Sequence, residues 1–134
     1  MKNRVFADTY CYFALIVPRA DTHQQAITFA QQFTGQIVTT AWVMAEVANA
    51  LCDTRHRAAV PLLLDGLKRN PQALVIPPDE ALFDAGVTLY RTRPDKGWSL
   101  TDCISFLVME REGIAEALTG DHHFEQAGFV ALLK

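Results

Sequence analysis

The sequence predicts an α/β fold, with short strands forming a parallel sheet and helices in the connections. Three observations lead there. Short apolar, β-prone runs alternate with longer segments of helical periodicity, which is the pattern of βαβ units. The 134 residues are half hydrophobic and one-fifth charged, which suits one globular domain spanning 1–134 with a real core. No internal repeat, low-complexity tract or linker divides the chain.

The elements follow in order. "RVFAD" (4–8) reads as the first strand. Residues 10–17 and 22–33 read as helices, separated near Pro18 because proline lacks the N–H that a continuing helix needs. "QIVTT" (36–40) is the second strand, followed by a helix over 41–52. "RHRAAVPLLLDGLKRN" (55–70) is helical, with Pro61 marking a possible kink. "ALVIP" (73–77) is the third strand, "DEALFDAGVTLYR" (79–91) a helix and "TRPDKGW" a loop. Residues 99–113 form a helix with Leu100, Ile104, Leu107 and Val108 on one side. "EALTG" (116–120) and "FVALL" (129–133) complete five strands.

Composition removes several function classes. No apolar run approaches the ~20 residues of a membrane span. The amino-terminal apolar run is interrupted by Asp8 and followed by no small-residue cleavage site, so no signal peptide is expected. Cys11, Cys52 and Cys103 are odd in number, far apart and in apolar surroundings, which fits buried, reduced thiols and a cytoplasmic protein. A CxxC pair is absent, which argues against a zinc ribbon. The net charge of −3 excludes a non-specific nucleic-acid coat and leaves room only for local contacts.

Four acids stand out by position. The stretch "TTAWVMAEVANALC" (39–52) carries only two polar side chains from Ala41 onward, Glu46 and Asn49. A carboxylate there must shift its pKa, find a cation or reach water. Asp8 ends the first strand, and ligands of an open parallel sheet bind at the carboxyl ends of its strands. Asp121 follows the fourth strand and lies at the same edge. Asp102 starts a helix that returns to the fourth strand through a very short connection, so helix and strand are antiparallel and Asp102 comes back to that edge. Glu46 lies roughly 8–9 Å into its helix at ~1.5 Å per residue, and helical side chains lean toward the amino end, so it reaches the edge too. Such a cluster either keeps some acids protonated or holds a cation. Oxygen ligands without cysteine or histidine select a hard ion such as Mg²⁺ or Mn²⁺. Taken singly, Asp8 reads as a turn residue, Asp102 as the partner of Ser99 in a helix cap, and Asp121 as an N-cap; together they weigh more.

The segments "VFADTYCYFAL", "TTAWVMAEVANAL" and "WSLTDCISFLVMEREGIAEALTGDHHFEQAGF" resemble those of a PIN-domain nuclease of the VapC toxin type, in order and spacing over almost the whole chain. The resemblance implies a three-layer α/β/α sandwich with a five-stranded parallel sheet and helices on both faces. It implies a Mg²⁺- or Mn²⁺-dependent ribonuclease with its acidic positions at Asp8, Glu46, Asp102 and Asp121. Of these, Asp8, Asp102 and Asp121 are expected as ligands and Glu46 as a ligand, direct or through water, or a water-orienting group. Thr119 matches a supporting hydroxyl. A homodimer and a small antitoxin partner are also implied. The alternative is a non-catalytic PIN-fold module that binds RNA or protein.

Two other enzyme classes recede. A haloacid-dehalogenase-type phosphatase needs Asp-x-Asp after the first strand, where this chain has Tyr10; a receiver domain needs a paired acid there and a lysine after the fifth strand. Near the Asp102 helix, "RTRPDKGW" places Arg91, Arg93 and Lys96 as candidate RNA-phosphate contacts, with Trp98 either a stacking surface or core. The adjacent His122 and His123 are residue types that bind metal, but adjacent histidines in a loop are expected to be exposed, with phosphate contact by one of them a minor option.

Overall fold

The computed structural model describes residues 3–134. Strands β1 (Arg4–Ala7), β2 (Gln36–Thr40), β3 (Ala73–Ile76), β4 (Glu116–Leu118) and β5 (Val130–Ala131) form one sheet in the order β3-β2-β1-β4-β5. Every neighbouring pair is parallel. The connections carry α1 (Thr9–Ile16), α2 (His23–Gln32), α3 (Ala41–Ala50), α4 (Ala59–Arg69), α5 (Glu80–Thr92), α6 (Leu100–Glu112) and α7 (His122–Gln126). The crossovers β1→β2→β3 run in one direction along the sheet, while β3→β4→β5 runs in the other. Right-handed crossovers then put α1–α4 on one face and α5–α7 on the opposite one. The result is the expected three-layer α/β/α sandwich.

The core lies around the central strands. Val5, Phe6, Ala7, Ala117 and Leu118 are all buried, as strands covered on both faces must be. Helix α6 buries Cys103, Ile104, Phe106, Val108 and Met109, so it is covered on more sides than a single apolar stripe would be. Phe106 sets its ring edge-on to Trp98 and to Phe124, at 5.0 and 4.9 Å. Gly86 lets α5 approach α6: a Cβ there would stand 2.4 Å from Ile104 Cγ1. Helix α6 ends on Gly113 at φ 68, the left-handed cap that glycine adopts without penalty.

Several boundaries differ from expectation. β1 stops at Ala7 because Asp8 already caps α1. Residues 55–58 are turn, so α4 starts at Ala59. Pro61 then falls in its first turn, where its missing N–H has no helical acceptor, and it causes no break. β5 is two residues long, although Leu132 N and Leu133 N still donate to Ala117 O and Thr119 O. Cys11 and Cys103 are buried as expected, but Cys52 is exposed because it lies just past the end of α3. Among the described residues no helix is long and apolar enough to cross a membrane.

Candidate active site

The strand order reverses direction between β1 and β4. The β1 connection leaves toward β2 and the β4 connection leaves toward β5, which opens a crevice at their carboxyl ends. Asp8 follows β1 directly, and Asp121 follows β4 after Thr119 and Gly120. Asp102 comes from the first turn of α6 and Glu46 from the second turn of α3. All four line one cleft of about 520 Å³. Tyr10 and Phe13 of α1 line it too, with Arg19, Asp21 and Thr22 from the α1–α2 turn.

Three of the acids also do local structural work. Asp8 caps α1, with Oδ1 accepting from Cys11 N at 3.3 Å and Oδ2 accepting from the Thr119 hydroxyl at 2.9 Å. The same Thr119 oxygen accepts from Asp121 N at 3.0 Å, so one hydroxyl ties the ends of β1 and β4 together. Asp102 and Ser99 form a reciprocal capping box at 3.0 and 3.1 Å. Asp121 caps α7 by accepting from His123 N at 2.9 Å. Glu46 caps nothing; the Thr9 hydroxyl donates to its carboxylate. Gly120 is required by packing, since a Cβ there would meet the Tyr10 ring at 2.5 Å and Leu133 O at 2.9 Å.

The electrostatics are unbalanced. Among the described residues no lysine or arginine pairs with any of the four carboxylates. Asp8 is 6 % exposed. Burial pushes its carboxyl up to about 8, against the pull of the Thr119 and Cys11 hydrogen bonds, and the charges of Asp102 and Asp121 add to the rise. Burial likewise raises Asp102, only partly offset by the Ser99 N–H; Asp121 raises it further and His123 opposes. A carboxyl this deep keeps its proton at neutral pH unless a cation sits beside it. Four carboxylates converging on one cleft form an oxygen-dominated donor set, and the residues present fit a hard divalent ion.

The two histidines, both expected to be exposed, part company in the structure. His122 is exposed, as expected, with 66 % of its side chain accessible. His123 is not: its Nδ1 stands 3.2 Å from Asp102 Oδ2 and 3.3 Å from Asp121 Oδ1. The signal was available in the capping geometry. Asp121 at the N-cap brings the second residue of α7 back to the same edge, and the fully buried Phe124 sets the roll of the helix.

The basic loop lies apart from the acids. Arg91, Arg93 and Lys96 line a separate groove with Tyr90 and Trp98. Arg93 pairs with Asp95 at 3.0 Å and lies 5.1 Å over the Trp98 ring. Trp98 is 7 % exposed and donates its indole N–H to Gln126, so it is core rather than a stacking platform.

The PIN domain family model matches residues 5–130. The chain belongs to the PIN domain family. Its structure is similar to that of VapC20 from Mycobacterium tuberculosis, a sarcin–ricin-loop-cleaving toxin, with a TM-score of 0.86 and 22 % identity over 97 % of this chain and 99 % of that one. It is also similar to FitAcB from Neisseria gonorrhoeae, with a TM-score of 0.65 and 15 % identity over 97 % and 96 %. No curated protein sequence matches it. At these identities the two structures speak to the PIN fold.

Proposed function

We propose that this PIN domain is a Mg²⁺- or Mn²⁺-dependent ribonuclease that hydrolyses RNA phosphodiester bonds. We further propose that it is the toxin of a toxin–antitoxin pair, a cytoplasmic homodimer neutralised by a small antitoxin. The observation that carries the nuclease reading is the convergence of Asp8, Glu46, Asp102 and Asp121 in one cleft where, among the described residues, no lysine or arginine forms an ion pair with any of them. Membership of the PIN family and the likeness to a toxin that cleaves the sarcin–ricin loop support the rest.

Asp8, Asp102 and Asp121 would hold the cation, while Glu46, set back in α3 and restrained by the Thr9 hydroxyl, would ligate it directly or through water, or orient the attacking water. Thr119 holds Asp8 and the Asp121 backbone in register. A bound cation supplies a water of lowered pKa and stabilises charge on the phosphate. Arg19, the cation in the cleft wall, would take a phosphate beside the scissile one, and Arg91, Arg93 and Lys96 would take a more distant one.

The test is Mn²⁺ binding by calorimetry at neutral pH for wild type, Asp8→Asn and Asp102→Asn, each checked for folding, followed by RNA cleavage. Binding and cleavage lost together in both variants is the expected result. Mn²⁺ binding that persists with no RNA cleaved would instead make the domain a binding module. For the toxin reading, growth arrest on expression, relieved by coexpressing a small neighbouring-gene protein, is expected; no arrest would remove it.

A further inference from the structure

His123 is placed between two of the four acids but does not line the cleft they share. Its Nδ1 faces Asp102 Oδ2 at 3.2 Å and Asp121 Oδ1 at 3.3 Å. Both neighbours are carboxylate oxygens, which only accept, so Nδ1 carries the hydrogen. A ring nitrogen that carries a hydrogen has no lone pair for a metal. The other nitrogen, Nε2, lies toward Gly97 of the α5–α6 loop, where a Cβ would stand 3.6 Å from it.

The two oxygens facing His123 are the same ones that serve the helix starts. Asp102 Oδ2 also accepts from Ser99 N at 3.1 Å, and Asp121 Oδ1 from His123 N at 2.9 Å. Asp102 Oδ1 and Asp121 Oδ2 accept no hydrogen bond from the described residues. Each carboxylate is thus held by one oxygen and left with the other open. The ring has firm backing: Phe124, the next residue, is fully buried against Phe106.

We propose that His123 is a positioning residue of the cation site. Its Nδ1–H donates to Asp102 and stands 3.3 Å from Asp121 Oδ1, sets the separation of two like charges that would otherwise spread, and leaves Asp102 Oδ1 and Asp121 Oδ2 to the cation. It does this without binding the cation itself. The inference rests on the cation site proposed above. It is the arrangement by which an outer group fixes the orientation of inner ligands, whose removal weakens metal binding by about 10–100-fold.

The test compares Mn²⁺ affinity by calorimetry in wild type, His123→Ala, His123→Gln and His122→Ala, with melting curves for each, and examines Mn²⁺-loaded wild type by pulsed electron paramagnetic resonance. His123→Ala is expected to lose about 10–100-fold in affinity. His123→Gln, whose amide N–H reaches a similar place, recovers part of the loss. His122→Ala leaves affinity unchanged, and the resonance spectrum contains no nitrogen bound to Mn²⁺. A directly bound nitrogen would make His123 a ligand and overturn the proposal, as would unchanged affinity in His123→Ala or an equal loss in His122→Ala. If His123→Ala fails to fold, His123→Gln and the wild-type spectrum still decide. Asp8→Asn and Asp102→Asn separate the two readings. If they lose Mn²⁺ and His123→Ala does not, only the positioning role falls; if they keep it, the cation site falls and this role with it.

Discussion

Strand β1 is flanked by two ionisable groups, Arg4 at its start and Asp8 just past its end, and the protein treats them differently. At its start, Arg4 is fully answered: Nε donates to Gln36 Oε1 at 2.8 Å, Nη1 to Glu112 O at 2.9 Å and Nη2 to Glu112 Oε1 at 2.7 Å. Just past its end, Asp8 is more deeply buried and meets other acids instead of a base. Both ends are satisfied as hydrogen-bonding groups, but only one is neutralised. A charge that the fold neutralises ties elements together. A buried carboxyl that the fold gives no base must keep its proton or find a cation elsewhere, which is why this end of the strand is the candidate site.

Substitutions at the two ends should therefore act in opposite ways. Asp8→Asn keeps the hydrogen-bonding shape while removing the group that can ionise to hold a cation. RNA cleavage should fall by more than about 100-fold, beyond the scale of outer-group effects, while the metal-free variant melts no lower than wild type. A kinetic assay beside a melting curve checks both, and a variant that cleaves normally would break the comparison.

The pH dependence of stability is the next effect in size. Asp8 sits near 8 in the folded protein against an ordinary 3.8, so the folded state holds its proton more tightly than the unfolded chain does. Its contribution is fully present below pH 3.8 and is lost as pH rises toward 8. Asp102 is shifted the same way. Metal-free wild type should lose melting temperature across this window. Asp8→Asn should flatten the slope, and added Mn²⁺ should stabilise more at pH 8 than at pH 5.

Arg4→Ala should cost only about 1 kcal/mol, because its side chain and that of Glu112 are 28 % and 33 % exposed and water screens the pair. Denaturant melts would show the loss, and calorimetry would show Mn²⁺ affinity unchanged. The smallest effect is expected at Arg93→Ala. Its guanidinium is already paired with Asp95 and lies outside the acid cleft, so RNA affinity measured in Ca²⁺ should change less than for Arg19→Ala.

Much of the candidate site was legible because its signals are local. Asp8 and Asp121 are the residues that follow β1 and β4, and Asp102 pairs with Ser99 only three positions away. Glu46 was legible because one carboxylate interrupts an apolar helix. Their bland readings and their functional ones are compatible: the three aspartates cap or start helices while lining the cleft. What the sequence left hidden is non-local. Trp98 and Arg93 sit in one loop and look alike as nucleic-acid contacts, yet one is buried by Phe106 and Gln126 and the other is tied to Asp95. His122 and His123 are neighbours with identical side chains, yet His122 stays exposed with Asp121 at 3.6 Å while His123 is half-buried against both Asp102 and Asp121.

The amino-acid sequence by itself determined the alternation of strands and helices, the parallel sheet and the four acids at its carboxyl edge. Periodicity, turn residues and the directions imposed by short connections are written within a few positions of one another. Only the tertiary structure decided that Cys52 is exposed, that Trp98 is core, that Arg4 meets Glu112, and that His123 stands between two carboxylates. Those outcomes depend on which faces meet across the sheet and on how each helix rolls to bury its largest side chains, and no short stretch of chain contains that information.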